Sequence, residues 1–201
     1  MSYGAIEEVV SSADHLAVFG NAKRLIELQT IALMKNGLLT GYKVGQGDEQ
    51  YDATIESLGY DSGYMFQVLN DLEPFLGQDL NAHNKGEANF DVLRSRKNIT
   101  VGFIANRLNS ADRRTFHTLL RSADPLLPVT LNEWFAKYDV LRDVIDNLTD
   151  VNRNIEANVQ ALPVALQLRS GFTAFVNYVL AAAVGRIGGA YGAKLSDILK
   201  R

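Results

Sequence analysis

The stretch that most limits what this chain can fold into is "TLNEWFAKYDVLRDVIDNLTDVNRNIEANVQAL", Thr130 to Leu162. Its large apolar residues fall at Leu131, Trp134, Tyr138, Leu141, Ile145, Leu148, Ile155, Val159 and Leu162, stepping by three and four. That period belongs to one face of a helix, and no strand can bury it. Written as heptads, one apolar position carries a polar residue, Asn152. A buried asparagine there fixes register and partner number, because a partner without a matching polar group leaves its amide unsatisfied. The pattern therefore predicts either a coiled-coil seam that grips a partner helix or, since Phe135, Val144 and Val151 widen the stripe, a helix packed in its own bundle. Thr130 and Glu133 have the spacing of a capping box, and Pro163 limits or bends the helix.

Upstream, apolar spacing predicts a helix over residues 5–19 and a stronger one in "NAKRLIELQTIALMKN", ending at Gly37. Residues 37–63 hold six glycines among scattered acids and read as an irregular loop with a short helix around Ala53 to Leu58. "SGYMFQVLNDLEPFLG" is helical, with Pro74 as a kink or break; residues 77–88 are turn-like. "NITVGFIANRL" fits a short strand or a helix equally. Residues 111–122 form a helix capped by Ser110, and "DPLLPVT" is a rigid connector. After Pro163 comes an apolar helix to about Val184. The expected fold is all-α: a helical bundle with a long C-terminal helical hairpin and a glycine-rich loop. The expected organisation is an N-terminal helical region, 1–125, and a C-terminal pair of helices, 126–201, in one folded unit.

Composition excludes several classes. With 47% hydrophobic and 21% charged residues the chain can bury a core. It has no cysteine, hence no disulfide, thiolate nucleophile or cysteine-bound metal. The start, "MSYGAIEEVV", lacks the basic region of a signal peptide, so the expected place is the cytoplasm or a particle assembled there. Between Arg169 and Arg186 lie 16 uncharged residues, about 24 Å of helix and short of the roughly 30 Å hydrocarbon core, so no membrane span is expected. His15, His83 and His117 are scattered, and "GDEQYDATIE" lacks the glycine and last glutamate of a calcium loop. "GAYGAKLS" has Ala193 where a phosphate loop needs glycine. No cofactor, metal or catalytic residue is indicated.

Two features point outward. The seam offers Trp134, Leu141, Leu148, Asn152 and Ile155; behind it Gly185 and Gly189, with Ala181 and Ala193, form a row of small residues that lets helix backbones approach closely. Both are packing devices, and the expected function is a non-enzymatic structural or assembly subunit, a homo-oligomer or part of a larger assembly such as a virion. The alternative rests on Arg94, Arg96, Lys97, Arg107, Arg113, Arg114 and Arg121, which face only Asp112 in that stretch. This segment carries +6 and leaves −9 on a remainder whose total is −3, a footprint suited to nucleic acid.

Overall fold

The computed structural model describes Arg24, residues 26–76, 98–122 and 124–163, residues 169–174, Val176 and Tyr178. Among these every regular element is helical, and the fold is all-α. The chain divides into two compact units, Met1–Leu25 with Asp71–Ile145, and Ile26–Asn70 with Asp146–Arg201.

The second unit opens with a π-helical turn, Glu27–Ile31, in which the Ala32 N–H reaches the Glu27 carbonyl. It runs without interruption into α1, Ala32–Val44. A tight reversal comes next. Gly45 donates to the Gly41 carbonyl and Gly47 to that of Tyr42, with Gln46 between them at φ 59°. Asp48 accepts from Gln50 N to cap a 3-10 turn, Glu49–Tyr51, which leads into α2, Asp52–Leu76. The glycine-rich stretch 37–63 is thus two helices joined by a seven-residue reversal at 45–51, and the long loop expected there is not found. The reason is physical. A helical glycine costs about 1 kcal/mol, and Gly59 and Gly63 offset it by letting α2 approach α1. An added Cβ would stand 2.5 Å from Lys35 Cα at the first and 2.9 Å from Ile31 Cα at the second. Ile31, Ile55, Leu58, Met65, Val68 and Leu69 are buried in this unit with Leu148, Ile155 and Val159.

In the first unit the ambiguous segment is a helix, α3, Ile99–Arg107. Asn98 caps it, accepting from Val101 N at 3.1 Å, and the buried Asp71 carboxylate takes Ile99 N at 2.7 Å. Because Ile99, Thr100, Val101, Gly102 and Ile104 are all buried, this helix shows no amphipathic period to read. The next helix, α4, Ser110–Ser122, is capped one residue earlier than expected: Asn109 Oδ1 accepts from Ala111 N and Asp112 N. α5, Leu127–Lys137, takes Pro128 into its first turn. The Thr130 hydroxyl bonds back to the Leu126 carbonyl instead of capping. Phe75 stacks on Phe135 and Phe116 meets Trp134 edge-on, closing a core with Leu72, Ile104, Leu131, Val140 and Val144.

The seam is not one helix. It breaks at Tyr138 and Asp139, where Asp139 adopts φ 49°, and resumes as α6, Val140–Ala161. Aspartate tolerates the left-handed region better than most residues, and the Tyr138 hydroxyl is drawn to Asp112 and Asn109. Helix resumes beyond Pro163 at residues 169–174, with Arg169 Nη2 donating to the Leu162 carbonyl. The predicted helix 5–19, the turn-like 77–88, and Gly185 and Gly189 with the rest of the glycine row lie outside the described residues. Among the described residues no helix is long and apolar enough to cross a membrane.

Candidate functional site

The close crossing of α1 and α2 aligns their polar residues in three cross-helix pairs. Tyr60 donates its phenol proton to Glu27 Oε1 at 3.1 Å, Thr30 Oγ1 donates to Gln67 Oε1 at 2.7 Å, and Lys35 Nζ donates to Glu56 Oε2 at 3.0 Å. The close approaches run antiparallel, Gly63 against Ile31 and Gly59 against Lys35. All three are partly buried, so each is stronger than an equivalent pair in bulk water yet still reached by solvent. α2 is tied on another side to α6 of the same unit: Asn158 Nδ2 donates to Ser57 Oγ at 3.1 Å, and Tyr64 bonds with Asn147.

Burial raises the Tyr60 phenol to about 12, reinforced by its bond to the Glu27 carboxylate. Burial also raises Asp61 and Tyr64, the latter partly offset by Asn147. The row therefore holds one ammonium group beside the Glu56 carboxylate, with the Tyr60 and Thr30 hydroxyl protons donated to Glu27 and Gln67. The Lys35 and Glu56 side chains remain 36% and 43% exposed. Chemically, its cation is the Lys35 ammonium, at the rim of a closely packed helix pair where an anionic oxygen could compete with Glu56.

None of these residues stands out in the sequence. Their signal is the spacing of Gly59 and Gly63 by four, the same small-residue period read at 185 and 189. Of the residues expected at a partner interface, Trp134 and Leu141 lie buried in the first unit and Leu148 and Ile155 in the second. Asn152 is half-buried on α6, with its Nδ2 donating to Glu156 Oε1.

Of the basic residues, Arg94, Arg96 and Lys97 fall outside the described residues, as does the Arg121 side chain. Arg107 forms a bidentate pair with Asp143, and Arg113 reaches the Ala105 and Leu108 carbonyls at the end of α3. Arg114 is exposed on α4. Asp112, the single acid of that stretch, binds Lys137 and Tyr138, and its carboxyl is held below the usual range by the Lys137 bond first and the Tyr138 bond second. These bonds join helix ends within the first unit.

Two solved structures match the chain. A decaprenyl diphosphate synthase from Rhodobacter capsulatus aligns with 88% of this chain at 17% identity and a TM-score of 0.73. A geranylgeranyl pyrophosphate synthase from Corynebacterium glutamicum, complexed with isoprenyl diphosphate and magnesium, aligns with 88% at 16% identity and a TM-score of 0.72. The chain spans 54% and 50% of those proteins, about half their length. No protein-family model matches the chain, and no curated protein matches it. Among the described residues no group of three or more His, Cys, Asp or Glu side chains that could hold a metal ion is found, and the buried Asp71 carboxylate accepts from Ile99 N. The comparison overturns the expectation of a non-enzymatic structural or virion subunit, since the solved proteins built this way are synthases. The chain is all-α, and its fold resembles about half of each of these two synthases.

Proposed function

We propose that the chain is an enzyme of the isoprenyl diphosphate synthase type, or a catalytic portion of one, acting on an isoprenyl diphosphate. The observation that carries this reading is the backbone likeness over 88% of the chain to two synthases that differ from each other in product. The chemistry of the polar row supports it. A diphosphate needs a cation, and the crossing presents the Lys35 ammonium. Lys35 holds a carboxylate that a diphosphate oxygen can replace, as both partners are open to solvent. The Thr30 and Tyr60 hydroxyl protons are committed to Gln67 and Glu27, so Lys35 carries the contact. The apolar tail would lie against the helices' aliphatic residues.

The test is calorimetric titration with geranylgeranyl pyrophosphate in the presence of magnesium, together with an assay for diphosphate release when two isoprenyl diphosphates are supplied. Binding should weaken at least tenfold in Lys35→Met, about 1.4 kcal/mol for one charge-assisted contact. Wild-type protein that neither binds nor turns over any isoprenyl diphosphate would overturn the proposal.

A further inference from the structure

Helix α1 carries one dipeptide with chemistry of its own. Asn36 is the only asparagine in the sequence followed by glycine. Both residues are exposed, and nothing lies within 4 Å of where a Cβ would stand on Gly37. The side-chain amide of an asparagine can be attacked by the backbone nitrogen of the next residue, and glycine hinders that nitrogen least and turns most freely. In regular helix the reaction is shut off. The Gly37 N–H is held by the Leu33 carbonyl, and the helical ψ of Asn36 keeps its Cγ away from that nitrogen.

The segment must therefore open first, and α1 is built to open at low cost. It has no fully buried residue, and Gly37 and Gly41 both lower its helix preference. Beyond Lys35, Tyr42 and Lys43 tie it to the reversal that follows, through the Asp48 carbonyl and the Glu49 and Asp52 carboxylates. Such short-range, solvent-reached contacts belong to the low end of local opening free energies. Asn109, followed by the small Ser110, is the contrast. Its Oδ1 accepts from Ala111 N and Asp112 N at 2.9 Å each, and its Nδ2 donates to the Tyr138 hydroxyl at 2.8 Å, so both ends of that amide are held.

We propose that Asn36 is a self-modification site, at which local opening of α1 converts the side-chain amide to a carboxylate without an enzyme. The Gly37 nitrogen attacks Asn36 Cγ and gives its proton to water, the side-chain nitrogen leaves as ammonia, and a five-membered imide closes. One water then opens the imide at either carbonyl, giving aspartate or isoaspartate. The net exchange is amide and water for acid and ammonia, and nothing is oxidised or reduced. The formal charge of the chain goes from −3 to −4, and the new anion stands beside Lys35 on a side of α1 where Leu33, Thr40 and Val44 are exposed and uncharged. The isoaspartate product also routes the main chain through one extra carbon, so the hydrogen-bond ladder cannot re-form across residue 36. The change is one-way, and its rate records how often α1 opens. It does not depend on what binds at Lys35.

The experiment is incubation of the full chain at mildly alkaline pH, folded and in urea, with peptide mass spectrometry and isoaspartyl methyltransferase labelling to follow each asparagine. The ratio of the urea rate to the folded rate is the protection at that residue. Protection at Asn36 should be no more than about a hundredfold, and protection at Asn109 at least ten times greater. Gly41→Ala leaves the dipeptide intact and meets nothing within 4 Å, so it folds and keeps the urea rate. By strengthening the helix it should slow the folded reaction about fivefold. Protection at Asn36 equal to that at Asn109 would mean that the helix holds the site shut. A folded rate unchanged in Gly41→Ala would mean that opening of α1 does not gate the reaction. Either result overturns the proposal.

Discussion

The same substitution, glycine to alanine, should have opposite signs at Gly37 and Gly59. At Gly37 an added methyl meets nothing within 4 Å, so only the helix preference of alanine acts, and stability should rise by up to about 1 kcal/mol. At Gly59 the methyl would stand 2.5 Å from Lys35 Cα and 3.0 Å from Lys35 N, both on a helix backbone that cannot rotate away. Restoring ordinary contact at 3.4 Å requires α1 and α2 to part by about an ångström. Overpacking of this kind costs about 1–3 kcal/mol, and the parting also stretches the Thr30–Gln67 and Lys35–Glu56 bonds. Against the gain of about 1 kcal/mol, the net is a loss of up to about 2 kcal/mol. With a urea slope near 2 kcal/mol/M, Gly59→Ala should lower the unfolding midpoint by up to about 1 M and Gly37→Ala should raise it by up to about 0.5 M. A Gly59→Ala protein as stable as Gly37→Ala would refute the close crossing, and with it the alignment of the polar row.

Asp71→Ala leaves Ile99 N buried without its carboxylate and removes an anion from the start of α3; urea unfolding should show a loss of about 1–3 kcal/mol, more than Asp71→Asn. Tyr60 is raised, so its neutral form is favoured in the fold: that contribution is complete below pH 10 and is lost as pH rises through about 12. Absorbance titration at high pH should show one phenol fewer among the late-titrating set in Tyr60→Phe. Asp112 is lowered, so its contribution is present above the ordinary carboxylate value of 3.8 and is lost as pH falls through its folded value. The stability difference between wild type and Asp112→Asn should therefore shrink toward zero below pH 3.8, and a constant difference would show that Lys137 and Tyr138 do not sense the charge.

The helical class was legible because the apolar residues from 131 to 162 step by three and four, and that period survives a change of helix. The break at Asp139 was not, since an aspartate in the left-handed region leaves no mark on the period of its neighbours. The wrong loop had the opposite cause. Glycine content alone does not separate a flexible segment from a helix that must pass close to another, and only the partner backbone decides which it is. α3 was ambiguous because its first turn, Ile99 to Gly102, is buried on every side and shows no polar face. The polar row was hidden for a further reason: its pairs join residues 21 to 37 positions apart, and no spacing rule within one helix links them. No catalytic signature stands at short spacing in this sequence, and the structural-subunit reading that filled the gap is overturned by the comparison with the two solved synthases.

The π-helical turn at Glu27–Ile31 holds one residue more than an α-helix needs for the same rise. It sets the angular phase between the residues before it and α1, turning Glu27 and Thr30 toward Tyr60 and Gln67 while Leu33 and Gly37 stay outside. The turn is therefore a place where the chain length can change by one without breaking the helix. Removing a residue there would restore regular winding with the flanking residues close to their present phase, whereas the same deletion within α1 would swing the side chains on one side of it by about 100°.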